Sequence, residues 1–309
     1  MGSEMCIRDR ANGDSAFNQS DIMKSMATSL SVDGKIYGEP FYGESSFMMY
    51  RKDIFDAMGL TMPDNPTWDE IADLAAKADG AESGMKGICL RGMPGWGQVF
   101  APLTTVVNTF GGTWFEKDWT AAVNAAPFKE AVNFYVDLVK AHGEAGAPQA
   151  GFTECLNNMT QGKVAMWYDA TSAAGSLEAE GSPVKGKIGY AAAPVKVTKS
   201  SGWLYTWAWA VQKASKNQDN AWKFISWASS KEYEELVGKQ LGLERAQQLA
   251  AAHQLGDRPL GRSQHLLHHR VGLGVHAGHV QRIVAVADAQ ETRRLLEGLR
   301  AQARHFQQL

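Results

Sequence analysis

The sequence predicts an α/β fold, on three observations: apolar strands alternate with amphipathic helices along the middle of the chain, those helices carry legible caps, and 309 residues with 44% hydrophobic content can fill sizeable cores. Pro66-Thr67-Trp68-Asp69-Glu70 places Thr at an N-cap and Glu three residues on, a capping box that opens a helix running to about Asp79. A second helix begins with Pro127 in its first turn. Its Phe128, Ala131, Val132, Tyr135, Leu138 and Val139 follow the 3.6-residue period, and Gly143 stops it. A third follows Asn217 and runs to about Gly238, with Ala221, Phe224, Ile225 and Ala228 on one face and Trp222 and Trp227 as packing residues.

Between the helices lie strands at Ser46 through Arg51, Gly87 through Leu90, Val164 through Tyr168 and Ile188 through Ala191. A fifth is aromatic. Between Ser201 and Val211, Trp203, Tyr205, Trp207 and Trp209 occupy every second position, which in a strand sets four rings on one face. Such a face either fills a core or grips a flat, hydroxyl-rich ligand, because Trp and Tyr stack on C–H faces while keeping a polar edge. Trp203 is the ring read as ligand-facing; Tyr205 is carried as a second candidate, although it and its neighbours Trp207 and Trp209 also suit a core.

Composition excludes several function classes. The formal net charge is −2 and no Lys/Arg stripe interleaves with aromatics, so nucleic acid is not an expected partner. No apolar stretch approaches the ~20 residues of a membrane span. Met1 through Arg10 has no apolar core of a secretion signal. Catalytic signatures are also missing: there is no G-x-S-x-G, Walker A, G-x-G-x-x-G or H-E-x-x-H. No cofactor is therefore expected.

The two ends differ from the middle. Residues 240–309 contain no Lys, Trp, Tyr or Met yet hold seven of the eight histidines and nine arginines against five acidic residues. That switch resembles GC-rich DNA read out of frame, and residues 1–10 resemble translated adapter sequence. Both read as non-native. The metal-like spacing of His265, His268 and His269 falls inside this tail, so no metal site is expected. His142 sits at a helix end, where a cation suits the dipole. Of the three cysteines, Cys6 belongs to the leader. Cys89, at a strand end, and Cys155, in a loop, are two buried thiols or a disulfide, and spacing alone does not choose.

Val32-Asp33-Gly34-Lys35-Ile36-Tyr37-Gly38-Glu39-Pro40, then Met48-Met49-Tyr50-Arg51-Lys52-Asp53-Ile54-Phe55, then Thr67-Trp68-Asp69-Glu70 resemble the carbohydrate-binding proteins of ABC transporters. Arg51 stands where that family usually has Asn. Asn108 through Gly112, Met159 through Met166 and Asn220 through Ile225 agree in order and spacing, so the resemblance covers about residues 19–243. Gly87 through Gly92, Trp167 through Ser176 and Ser201 through Trp207 are similar to the sorbitol/mannitol branch. The resemblance implies a periplasmic-binding-protein-like fold: two α/β lobes joined by a hinge, with the N-lobe incomplete in this chain. Its implied organisation is an N-lobe and hinge remnant at 11–45, a C-lobe at 46–190, and a return crossing with an N-lobe strand and helix at 191–239. It also implies a periplasmic monomer that binds a linear polyol or sugar and hands it to inner-membrane permease subunits, and it favours the disulfide.

A polyol offers hydroxyls and C–H faces, so its receptor needs carboxylates to accept, Arg to donate and rings to stack. Each class stands just beyond a predicted strand: Glu44 after the Pro40 strand, Arg91 after Leu90, Asp169 after Tyr168, and Trp203 after Gly202. Trp96 lies in the loop Pro94-Gly95-Trp96-Gly97. Arg91 and Asp169 equally suit a structural ion pair. The rival function is a glycoside hydrolase using Glu44 and Asp169 as paired carboxylates. A polyol dehydrogenase would need a nucleotide-binding glycine loop, which is absent.

Overall fold

A computed structural model describes residue 14, residues 17–241 and the segment 284–286. The leader 1–10, the histidine cluster and nearly all of the tail lie outside the described residues. Within them, residues 44–204 form one compact unit, and residues 14–43 with 205–240 and the 284–286 segment form another.

The chain opens with helix α1 (Lys24–Ser29) and strands β1 (Ser31–Val32), β2 (Lys35–Ile36) and β3 (Glu39–Glu44). Asp33 and Gly34 both take positive φ between β1 and β2, the tight hairpin geometry that an Asp-Gly pair favours. The larger unit follows with β4 (Ser46–Arg51), α2 (Lys52–Met58), α3 (Trp68–Ala78), β5 (Lys86–Cys89), α4 (Phe100–Thr109) and α5 (Ala126–His142). It closes with α6 (Phe152–Thr160), β6 (Val164–Ala170), α7 (Ala173–Leu177) and β7 (Ile188–Ala191). Last come β8 (Tyr205–Ala210), α8 (Gln218–Ala228), α9 (Lys231–Leu241) and β9 (Val284–Val286).

The sheet of the larger unit runs β5-β6-β4-β7, with β5 and β6 parallel and the other pairs antiparallel. Helices cover both of its faces. Met48, Ile88, Met166 and Tyr168 face α3, α4 and α5, whose Trp68, Ile71, Val106 and Ala131 share one core with them. Phe47, Met49, Cys89 and Trp167 face the other way and pack with Cys155 and Met159 of α6 and Leu177 of α7. The period-two alternation of β4 thus feeds two cores, which is why that strand reads as an unbroken apolar run. The predicted capping box opens α3: Thr67 Oγ1 accepts from Glu70 N at 3.2 Å, and a Glu70 carboxylate oxygen accepts from Thr67 N at 2.7 Å.

In the smaller unit the strand order is β3-β8-β9. Trp209 stacks on Phe41 at 4.5 Å between ring centres and meets Phe224 of α8 edge-on. Trp222 is buried against Phe17, whereas Trp227 stays 44% exposed and leans on Tyr233.

Three expectations are corrected. The single helix from Asn217 to about Gly238 is two helices, because the first ends at Ala228 with Ser229 as its C-cap and Ser230 caps the second: its Oγ accepts from Tyr233 N at 3.2 Å. The four aromatics do not share one strand face. Gly202 takes φ +122° and the Trp203 amide donates to a side chain, Ser46 Oγ, instead of a ladder partner, so β8 starts only at Tyr205. Cys155 lies not in a loop but in α6, a helix opened by the Glu154 carboxylate accepting from Gly151 N at 2.9 Å.

That helix brings Cys155 to Cys89, and the two form a disulfide with a Cα separation of 5.6 Å across 66 residues of sequence. Closing a loop of that length in the unfolded chain is worth about 4 kcal/mol. Urea unfolding with and without a reductant checks this: the reduced protein should lose stability of about that order, and equal midpoints would show the bond to be dispensable.

Candidate ligand-binding site

The chemistry-bearing side chains of the larger unit collect at one end of its sheet. Cys89 pairs with Trp167 in the parallel β5–β6 ladder, so Arg91 leaves β5 level with Asp169, and Phe47 of β4 pairs with Asp169 from the other side. The ends of three neighbouring strands therefore deliver Arg91, Asp169 and the segment Glu44-Ser45-Ser46 to one place.

Arg91 and Asp169 are joined as a two-pronged ion pair. Arg91 Nε donates to Asp169 Oδ2 at 2.7 Å, and Nη2 donates to Oδ1. Asp169 is wholly buried and Arg91 is 7% exposed. Trp167 Nε1 donates to Oδ2 at 3.0 Å and Ala170 N to Oδ1 at 2.6 Å. Four donors thus fill the acceptor positions of one carboxylate. Burial works against the guanidinium charge, but the Asp169 hydrogen bonds and field, with that of Glu44, hold the Arg91 pKa above its ordinary value. Phe152 lies 5.2 Å from the guanidinium carbon, within cation–π range. Arg91 Nη1 also donates to the Gly97 carbonyl at 2.9 Å, leaving one N–H on each Nη outside these bonds.

That bond ties down the loop bearing Trp96, which remains 51% exposed. Behind Arg91, Tyr135 donates from its hydroxyl to the Arg91 carbonyl at 2.7 Å, and burial pushes its pKa well above the ordinary range. Glu44 accepts from Ser172 Oγ at 3.0 Å. Ser45 and Thr171 clamp each other: Ser45 N donates to Thr171 Oγ1 at 3.2 Å, and Thr171 N to the Ser45 carbonyl at 2.9 Å. Trp203 N donates to Ser46 Oγ at 3.3 Å, and its ring meets Tyr168 edge-on at 5.8 Å.

Of the six residues singled out in the sequence, Glu44, Arg91, Trp96, Asp169 and Trp203 belong to this unit. Tyr205 belongs to the smaller unit, where it packs edge-on with Trp207 at 5.0 Å. Sequence reasoning missed Ser45, Ser46, Tyr135, Thr171 and Ser172. Their signal was available in part: two small hydroxyl residues follow Glu44 directly, and two more stand just beyond Asp169. Among the described residues, Cys89, Glu144 and Cys155 alone have metal-ligand spacing. Both sulfurs are spent in the disulfide and neither is a thiolate, so the grouping does not fit a thiolate-bound cation. No helix of the described residues is long and apolar enough to cross a membrane.

The family model described as bacterial extracellular solute-binding protein matches residues 7–235. A mannitol-binding protein of Pseudomonas aeruginosa is 41% identical over 226 residues, covering 72% of this chain and 52% of that protein. An ABC transporter solute-binding protein of Agrobacterium vitis S4, solved with D-mannitol bound, aligns with TM-score 0.72 and 39% identity over 80% of this chain and 61% of its own. A second, of Agrobacterium radiobacter K84 in complex with ribitol, gives TM-score 0.68 and 25% identity over 79% and 61%. The chain spans about half the length of the curated relatives it matches.

Removing one partner of a buried, fully bonded ion pair strands the other charge, at a cost of about 3–5 kcal/mol. Asp169→Ala should lower unfolding stability by that order; a loss below about 1 kcal/mol, the worth of an exposed pair, would contradict the geometry.

Proposed function

Because the chain belongs to the bacterial extracellular solute-binding proteins, we propose that it is the substrate-binding component of an ABC importer that takes up a linear sugar alcohol of the mannitol type. The observation that carries the reading is the 39% identity, at TM-score 0.72, to a solute-binding protein solved with D-mannitol. The site chemistry supports it. Arg91 keeps two N–H groups for ligand hydroxyls, Glu44 offers carboxylate acceptors, and Trp203 and Trp96 offer rings for C–H faces. In this reading Asp169 acts through Arg91, holding the guanidinium flat and charged while its own oxygens are filled.

No bond is made or broken. Binding shifts an open–closed equilibrium between two lobes, with the hinge near Pro40 to Glu44 and at the return crossing after Ile188 to Pro194. One lobe is built on residues 46–190 and the other on 11–45 with 191–239, except that Glu44, Ser45 and the return crossing up to Leu204 stay with the first. The protein works as a monomer in the periplasm and presents its ligand to inner-membrane permease subunits. Tyr205 is retained as a ligand contact from the second lobe. The hydrolase alternative finds no support: the relatives are binding proteins, and an Asp169 committed to four donors is neither a free acid nor a nucleophile.

Calorimetry of the chain against D-mannitol, sorbitol, arabitol and maltose tests this. Heat of binding is expected with a hexitol and not with maltose. Heat with maltose alone would overturn the polyol assignment, and heat with none would overturn the receptor reading.

A further inference from the structure

Five polar groups of the larger unit, three of them buried hydroxyls, form a line whose proton directions follow from their partners. Thr105 of α4 lies 2.7 Å from the Pro102 carbonyl, which can only accept, and giving the Thr105 proton to it is the one choice that leaves the Tyr168 and Ser46 protons an acceptor each. Its oxygen is also 2.9 Å from the Tyr168 hydroxyl, which must therefore donate to it. With the Tyr168 proton spent, Ser46, 2.9 Å on the other side, must donate to Tyr168. Ser46 Oγ then accepts from Trp203 N at 3.3 Å. The network assigns every hydroxyl proton, from Trp203 N–H through Ser46, Tyr168 and Thr105 to Pro102 C=O.

Thr105, Tyr168 and Ser46 are at most 4% exposed, so none can exchange these partners for water. Burial pushes the Tyr168 pKa up to about 12, and the hydroxyl keeps its proton at physiological pH. The Tyr168 ring is held edge-on between Trp68 at 5.3 Å and Trp203 at 5.8 Å. Gly202 supplies the turn that lets the Trp203 amide reach Ser46; a Cβ on it would stand 3.4 Å from Ser46 Oγ, at a φ of +122° that side chains rarely take.

We propose that Thr105 and Tyr168 are positioning residues for Trp203, fixing its backbone through a one-way hydroxyl relay and thereby setting the indole plane against which the polyol packs. The inference rests on the reading of Trp203 as a ligand contact, and the relay itself can be read without ligand.

Two variants and a conservative control test it on the full chain. Thr105→Val deprives the Tyr168 hydroxyl of its acceptor, Tyr168→Phe removes the centre of the line, and Thr105→Ser keeps it. Amide hydrogen exchange at Trp203 is expected to quicken by about tenfold in the first two and not in the third, with exchange at Ala131 of α5 unchanged. D-mannitol affinity should fall about threefold to tenfold in the same two variants, the worth of one hydrogen bond, and stay at the parent value in Thr105→Ser. Unchanged Trp203 exchange in both variants, or an equal rise at Ala131, overturns the relay. Lost affinity in Trp203→Ala with full affinity in Thr105→Val and Tyr168→Phe overturns the positioning role. Full affinity in Trp203→Ala, or no mannitol binding by the parent chain, counts against the ligand reading instead, and the exchange result then decides the relay.

Discussion

Strand β6 is buried along its whole length, from Val164 to Ala170, and the polar groups on it and at its end answer to that constraint. A strand covered on both faces has no water to satisfy a stray polar group, so each one must be paired inside the protein or moved to the strand end. Both solutions are in use. Tyr168 hides its hydroxyl between Ser46 and Thr105, and Asp169, the last polar residue of the strand, fills its oxygens with donors from Arg91, Trp167 and its own backbone neighbour. The result is a rigid polar rim on an apolar sheet, where donors and acceptors hold fixed directions before any ligand arrives. Such preorganisation lowers the ordering cost of binding.

The same logic explains Arg51. Where the related family usually carries Asn, this chain places an arginine at the far end of β4, 6% exposed and gripping Asp53 with Nε at 2.7 Å and Nη2 at 2.6 Å. Buried arginine is tolerated there because a carboxylate two residues on meets its fork. The smaller unit buries a carboxylate of its own. Glu39 is fully buried at the start of β3, with Gln19 3.4 Å from one oxygen, and burial lifts its pKa to about 7.

Much of the fold was legible because local chemistry decided it. The Thr67–Glu70 box and the Pro at the start of α5 fix their elements through contacts within a few residues, and the apolar runs of β4 and β7 mark buried strands before their distant partners are known. What was illegible depended on distant partners. The break at Ser230 needed a choice between helix interior and cap that two adjacent serines leave open. The departure of Trp203 from the aromatic strand is decided by Ser46, 157 residues away. Helix α6 escaped because its cap is a backbone glycine served by Glu154, with no side-chain signature at the N-cap position. The candidate site was legible residue by residue but not as a network: charged groups at strand ends stand out, whereas Tyr168 and Tyr135 look like ordinary core aromatics until their hydroxyls are traced. The Arg91–Asp169 pairing, left open by spacing, follows from the parallel register of β5 and β6.

The proposed floor for an acyclic polyol is this rim, with Arg91 held by Asp169 and Trp203 held by Ser46. A crystal structure of the chain grown with D-mannitol tests that most directly. A six-carbon chain is expected against the Trp203 ring, with a hydroxyl in hydrogen-bond reach of an Arg91 Nη. A polyol bound elsewhere, with Arg91 and Trp203 both untouched, would contradict it.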